Sequence, residues 1–556
     1  MSPLVALAVP LLLLGALFGP ARARAWAERL APWAPLPLLL PLAFGGRLDL
    51  PWLLLGTSLA ADAVNGPLLV LTLLGWTLAG WAAVVQVRER QRRFWVGWLA
   101  ALAGMVLLLL AGDLASFYLG YAVVSLSAYL LVTHAATAEA RRAGRIYLVM
   151  AVAGEAAVLI GVLQLAGMFG NVAFAGLLAN PDAIAASPAR WWLLAGFAVK
   201  LGILPLHVWL PLAHPVAPAP ASAILSGIIV KAGLAGWLRF VPPLAGDGRG
   251  IGEALLLLGL VTAFGGVALG LTQQRLKTVL AYSTVSQMGL VLTGFALAFL
   301  VPGGRDALLP VLGLLALHHG LNKASLFVAY GAAPGASRAR LALFALPALA
   351  LAAAPLTTGF LAKEALKGAL YGAALAPAVG VALSLTSTAT ALLLWKAFGL
   401  ARRLDDRDVP LHPSWPLLVL AATVAPWWFA VSAGLFAMPT PEKLWAAVWP
   451  LLLAAGIVLA HRRWFSDVAV ALPEGDLVVP VERAFARARA FARAAEALRR
   501  PAAADKATAE PRPWIGRQTD ALLRAEAAQR RLPNIGLVLL LVGTLLWGLT
   551  WWASGG

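Results

Sequence analysis

The chain has 556 residues, 61% of them hydrophobic and only 12% charged, against about 25% charged in soluble domains. A water-soluble fold of this length has nowhere to bury so much apolar surface, so lipid must solvate much of it. The net charge of +18 would point to nucleic acid in a soluble protein; here the arginines sit in short loops between apolar runs, which fits topology control and contact with anionic lipid, and no nucleic-acid partner is expected.

Hydropathy predicts an all-α, polytopic membrane protein with about sixteen transmembrane helices. The first run, 3–20, has no basic stretch before it and is followed by Arg22 and Arg24, so a retained helix is expected rather than a cleaved signal. A short run at 34–45 and an interfacial hairpin over 46–60 follow. Further spans are expected near 64–86, 94–111, 114–133, 146–167, 191–211, 216–240, 252–272, 278–301, 307–332, 341–372, 378–400, 415–437, 446–461 and 535–552.

The strongly basic loops follow the odd-numbered spans. They carry Arg22, Arg24 and Arg29, then Arg88 to Arg93, Arg141 to Arg145, Arg275 with Lys277, Arg338 with Arg340, and Arg402 to Arg407. All of them fall on one side, as the positive-inside rule requires, which places both termini outside the cytoplasm. The polar stretch 462–534 falls on the basic side too. Within it Ala484, Ala488, Phe491, Ala495 and Leu498 recur at helical spacing opposite arginines, a pattern suited to lying on the membrane surface.

The chain therefore divides into N-terminal helices and hairpin over 1–60, a core over 61–440, one more span at 441–461, the basic amphipathic segment 462–534 and a last span within 535–556.

An ionisable side chain at bilayer depth is expensive and is a functional candidate by default. Those expected deep in spans are Glu155, Lys200, Lys231, His318, His319, Lys323 and Lys363. His207 and His214 follow Lys200 and either take part or satisfy freed backbone groups. Lys396, near a span end, is expected to snorkel, and Lys277, at the start of a span, to be interfacial. Lys200 precedes Pro205 and Lys363 follows Pro355. Proline removes a backbone donor, and broken helices at membrane depth survive only inside protein or beside a wet cavity, where half-helix ends can hold ions. Burial disfavours a lysine's charge and a nearby carboxylate favours it. Shifting the carboxylate's influence therefore loads or releases a proton, which is the physical basis of a lysine relay.

The segment KLGILPLHVWLPLAHPVAPAPASAILSGIIVKAG (200–233) closely resembles the signature of the antiporter-like subunits shared by respiratory complex I, Mrp-type cation/proton antiporters and membrane-bound hydrogenases. RLKTVLAYSTVSQMG (275–289), HHGLNKASLF (318–327) and PLTTGFLAKEA (355–365) resemble the same family in the same order. The resemblance implies two inverted five-helix repeats, each with a broken helix, and a proton relay along the membrane midplane. It implies that Lys200 and Lys363 are the lysines of the two broken helices, Lys231 the central lysine, and His318 or His319 with Lys323 the cluster between.

Two departures stand out. Ala122 occupies the place of the family's glutamate, which leaves Glu155 as the expected partner of Lys200, and Leu212 replaces an aspartate. The candidate helix at 481–499 spans only about 30 Å, too short to brace several neighbouring subunits.

The function expected is a proton, or cation/proton, translocating subunit of a multisubunit complex in a bacterial inner membrane, partnered by other antiporter or respiratory-type membrane subunits and by lipid. Two alternatives stay open: a proton-gradient-coupled subunit of an inorganic-carbon uptake complex, or a complex I-type redox-driven pump subunit. Redox chemistry in this chain is not expected. The chain has no cysteine for iron–sulfur ligation and no dinucleotide fingerprint, and adjacent His318 and His319 point to different helix faces. No cofactor or metal is expected.

Overall fold

The computed structural model describes residues 2–464, apart from 55, 171–172, 243–247, 302–303 and 371–375, together with 472–473, 479–480, 482 and 484. Almost all of the basic segment 462–534, and the whole span expected at 535–552, lie outside the described residues. The chain divides into two units, residues 1–49 with 58–477 and residues 50–57 with 478–556. In the second, 50–57 forms tight turns, with Leu53 N donating to Leu50 O at 3.1 Å and Gly56 N to Leu53 O at 2.9 Å.

The first unit is helical. It opens with α1 (Ser2–Ala16), an apolar helix shorter than a full span. Residues 34–45, expected as a span, instead hold one 3-10 turn, Leu36–Leu38, and the six-residue helix Leu39–Phe44. Pro35, Pro37 and Pro41 explain this, since each removes a helix donor. The strands Arg47–Leu50 and Thr57–Ala60 pair as a two-stranded sheet. The helical core begins with α2 (Gly66–Gln86), α3 (Gln91–Leu110), α4 (Leu114–Val132) and α5 (Ala138–Phe169). The first broken helix is α6 (Ala189–Leu201) with α7 (Trp209–Val216). Next come α8 (Ala219–Phe240), α9 (Arg249–Leu271), α10 (Leu276–Leu297) and α11 (Gly304–Tyr330). The second broken helix is α12 (Arg338–Leu351) with α13 (Thr358–Gly368). The series ends with α14 (Ala376–Ala401), α15 (Ser414–Ser432) and α16 (Pro441–Trp464).

Among the described residues, eleven helices are long and apolar enough to cross a bilayer. The two broken pairs fall outside that number because each half is too short alone.

Burial sorts these helices by role. The apolar windows of α8 and α10 are wholly enclosed by other protein and that of α11 is 94% enclosed, whereas α9 is 39% and α16 only 17% enclosed. The enclosed helices carry Lys231, Lys277, His318, His319 and Lys323; α9 and α16 have no charge in mid-span. The fold thus wraps its charged helices in apolar ones, the only arrangement lipid tolerates.

Both breaks are built alike. Gly202, at φ 71°, closes α6: its N–H donates to Val199 O and the Ile203 N–H to Ala198 O, both at 3.1 Å. This paired closure satisfies carbonyls that the helix end would otherwise orphan. Pro205 then prevents continuation until Trp209. At the second break Ala353 takes φ 58°, and the N–H groups of Ala353 and Ala354 donate to Ala350 O and Leu349 O at 3.0 Å. Pro355 follows, and the Thr357 hydroxyl caps α13 by accepting from Phe360 N. The two half-helices touch here: a Cβ on Gly359 would stand 1.8 Å from Ala350 O.

Gly359→Ala must therefore push the half-helices apart, at a cost of about 1–3 kcal/mol or more. Gly399→Ala, which meets nothing within 4 Å, is the matched control. Thermal unfolding of the detergent-purified protein should show a lower Tm for Gly359→Ala only. Equal Tm values would mean that the contact is not as drawn.

Candidate functional site

The first cluster lies where α4, α5 and α6 meet. Lys200 occupies the last turn of α6, where the carbonyl end of the half-helix favours a cation. Its ammonium donates to Ser125 Oγ on α4 and sits 4.8 Å from the centre of the Tyr121 ring. The Ser125 hydroxyl donates to Tyr121 O at 3.0 Å, and Tyr147 OH on α5 donates to Ser125 O at 2.8 Å. Glu155, buried on α5, stands against Ser125 and within electrostatic reach of Lys200. The expected pair, Glu155 and Lys200, thus shares this cluster with Ser125.

The second cluster is central. Lys231, with none of its side chain exposed, approaches His319 Nδ1 at 2.5 Å and donates to Ser226 O at 3.1 Å. Two local features make this fit. Residues Leu225–Ile229 form a wide π turn, and the Ser226 carbonyl faces the lysine five residues on. The backbones of α8 and α11 also touch: a Cβ on Gly227 would lie 2.6 Å from Gly320 O, and one on Gly320 would lie 2.7 Å from Gly227 O. No other residue allows that approach. The Ser226 hydroxyl, separately, lies 2.5 Å from Thr284 Oγ1, which donates to Leu280 O at 3.2 Å, and that oxygen also accepts from Lys323 Nζ at 2.8 Å.

His318 points elsewhere, as adjacent helix positions must. Its Nδ1 is 2.8 Å from Thr358 Oγ1 at the head of α13 and 3.2 Å from Asn322 Nδ2. It lies within electrostatic reach of both Lys231 and Lys363. Lys363, buried on α13, donates to Ser387 Oγ at 2.6 Å, Thr386 Oγ1 at 2.8 Å and Leu383 O at 3.2 Å, all on α14. The seven expected residues therefore fall into three groups, at Lys200, at Lys231 and at Lys363, with His318 between the last two.

Sequence reasoning missed Ser125, Ser226, Thr284, Asn322, Thr358, Thr386 and Ser387, because buried hydroxyls and amides are too common in membrane helices to stand out. Their signal is a hydroxyl on a helix facing a lysine, which needs the fold to be seen.

Lys277, at the start of α10, is packed inside the protein rather than on its surface. Its ammonium donates to Ala217 O and, at 3.5 Å, to Pro215 O at the carbonyl end of α7, and it lies 4.9 Å from the Tyr330 ring centre. His214 stacks on Phe327 at 4.6 Å, and His207 lies beside Tyr282. Lys396 is half-exposed near its span end, with its ammonium on Leu271 O.

Two cavities flank the row. One of about 520 Å³, on the basic-loop side, is lined by Arg88, Lys277, Tyr330, Asp406, Asp408 and His412 among others. Burial holds the His412 imidazole below its usual range. The other, about 350 Å³, is lined by Phe360, Glu364, Trp427 and Lys443 among others. Glu364 pairs with Lys367 at 3.3 Å. Among the described residues, no three His, Asp or Glu side chains converge as a metal site.

The family described as NADH:quinone oxidoreductase/Mrp antiporter, TM, matches residues 111–390, half of the chain. The chain belongs to this family. The match runs from the start of α4 to α14 and includes all seven expected residues. Within the family, the chain is 36% identical over 287 residues to NAD(P)H-quinone oxidoreductase chain 4 2 of Thermosynechococcus vestitus, covering 51% of this chain and 52% of that one. It is 36% identical over 244 residues to hydrogenase-4 component B of Escherichia coli, covering 42% of this chain and 36% of the relative. The chain spans about half the length of the curated relatives it matches.

Two solved assemblies share the fold. The Mrp complex from Dietzia sp. superposes with a TM-score of 0.70 at 20% identity, over 97% of this chain and 62% of the other. An archaeal membrane-bound sulfane sulfur reductase superposes at 0.65 and 18% identity, over 82% and 98%.

Among the described residues, every hydrogen-bond acceptor of Lys231, Lys323 and Lys363 is neutral. An ammonium so placed costs several kcal/mol to hold, and its removal leaves no opposite charge stranded. Lys323→Met should therefore unfold at or above the wild-type Tm in detergent. A clear drop would mean that the lysine is there for stability.

Proposed function

We propose that this chain is a proton-translocating subunit of a multisubunit membrane complex in a bacterial inner membrane, with residues 61–440 as its translocation core. The observation that carries the reading is the row of buried lysines and histidines, centred on the 2.5 Å approach of Lys231 to His319, with one cavity at the basic loops and another beside Glu364. Nitrogen bases of this kind exchange protons, whereas sodium asks for a cage of oxygen ligands. The proton is therefore the ion favoured.

In this reading Glu155 sets the charge on Lys200. Lys231 and His319 exchange a proton at the centre, with Lys323 coupled to them through Thr284 and Ser226. His318 and Asn322 carry the path to Thr358, and Lys363 delivers to the cavity beside Glu364. Water would bridge the intervals between the groups, which polar, roomy gaps can hold. The two half-helix arrangement, with α6–α7 at one end and α12–α13 at the other, supports the inverted-repeat organisation that the family resemblance implies. The Mrp and sulfane sulfur reductase complexes that share the fold support partnership with other membrane subunits. The driving force then comes from those partners.

The test is proton movement in everted native membrane vesicles, followed by a pH-sensitive dye, with assembly checked on native gels. Lys231→Ala and Lys363→Ala should each slow it roughly a hundredfold, the low end for a positioned proton-transfer group, while assembling normally. Wild-type rates in either assembled variant would overturn the reading.

A further inference from the structure

The family's usual carboxylate on α4 is missing, Ala122 standing in its place, yet α4 still reaches Lys200. It does so one turn further on, through Ser125. We infer that the Ser125 hydroxyl is a rotating proton bridge between Lys200 and Glu155, doing with one hydroxyl what a direct ion pair would otherwise do.

A hydroxyl has one hydrogen to donate and two lone pairs to accept with. Ser125 Oγ accepts from the Lys200 ammonium and donates to Tyr121 O at 3.0 Å. Glu155 on α5 lies within reach of both Ser125 and Lys200, and its Oε1 is buried without a hydrogen-bond partner among the described residues. One hydrogen thus has two acceptors in its surroundings, a backbone carbonyl and a carboxylate, and can serve only one at a time. A buried acceptor left unserved costs about 1–3 kcal/mol, so the two orientations compete. With the hydrogen on Tyr121 O, Lys200 and Glu155 are insulated from each other. With the hydrogen turned to Glu155, the chain Nζ–H···Oγ–H···Oε is complete.

Along that chain one proton passes without net change to Ser125. The N–H bond of Lys200 breaks as Oγ gains its hydrogen. The original O–H bond of Ser125 breaks as Glu155 gains a proton. Lys200 becomes a neutral amine and Glu155 a neutral acid, and rotation of the hydroxyl back to Tyr121 O resets the bridge. The bridge is held in place from three helices. Tyr147 OH from α5 fixes the Ser125 carbonyl at 2.8 Å. The Tyr121 ring on α4 lies 4.8 Å from the ammonium, an attraction worth about 2 kcal/mol when desolvated. Tyr121 OH donates in turn to Gly196 O on α6 at 3.4 Å.

This inference rests on the relay reading above, and the experiment separates the two. Difference infrared spectra of the full-length chain in its native complex, taken between acidic and alkaline pH, would be assigned for the Glu155 carboxylic-acid band by its loss in Glu155→Gln. Ser125→Ala should move that band to higher frequency, and Ser125→Thr, which keeps a hydroxyl, should leave it in place. In vesicles, Ser125→Ala should slow proton movement at least about tenfold, Ser125→Thr should restore it, and adding Ser125→Ala to Glu155→Gln should cost nothing further. A band indifferent to Ser125→Ala, or a threonine variant as slow as alanine, overturns the bridge. Lys231→Ala is the control for the underlying reading: if it alone leaves transport intact the relay fails, while the infrared band still decides the bridge.

Discussion

The structure depends on how an ammonium group is kept inside a bundle of apolar helices. Lys231 is fully enclosed, and its partners are a histidine nitrogen and a backbone carbonyl. A charge in that position is tolerable only if the surrounding backbone offers carbonyls that regular helices keep for themselves. The irregular features supply them. The wide turn at 225–229 presents Ser226 O to Lys231, the end of α7 presents Pro215 O and Ala217 O to Lys277, and Lys200 sits on the terminal turn of α6. Breaks that would be fatal in lipid are here the solvent for the lysines. The wholly enclosed helices α8 and α10 exist because these groups cannot face hydrocarbon.

The two ends of the row solve this problem with different chemistry. Around Lys200 there is a carboxylate within electrostatic reach and a hydroxyl in contact, so the charge of one group answers to the charge of the other. Around Lys363 the acceptors are two hydroxyls and a carbonyl on α14, and the nearest acid, Glu364, is engaged with Lys367. A lysine with a responsive acid beside it suits gating. One with fixed neutral acceptors has no such partner to answer to. Lys277, buried over Tyr330 at the floor of the larger cavity, puts a further ammonium between the basic-loop side and the centre.

Much of this was legible in the sequence. Long apolar runs show a helical membrane protein, and Pro205 and Pro355 mark both breaks. The deep charges stand out because hydrocarbon makes them rare. What stayed hidden has physical causes. The run at 34–45 is apolar enough for a helix but its three prolines remove the donors, so composition and conformation disagree. Lys277 sits near a helix start, where snorkelling is the default, and only the packing of α7 and α11 around it shows that its ammonium is held by the carbonyls at the end of α7. Ser125 carries no charge and lies one turn from the position the family resemblance singles out, so nothing in the linear sequence distinguishes it from Ser127. The close approach at Gly227 and Gly320 joins residues far apart in the chain, beyond the reach of local pattern.

The central claim is that protons cross the membrane through this chain. The most direct measurement is the current that follows a rapid pH step in proteoliposomes holding the intact complex on a solid-supported membrane. A transient current that scales with the step, keeps its size without sodium and vanishes with a protonophore is the result the relay requires. A flat trace, or a current seen only when sodium is present, would contradict it.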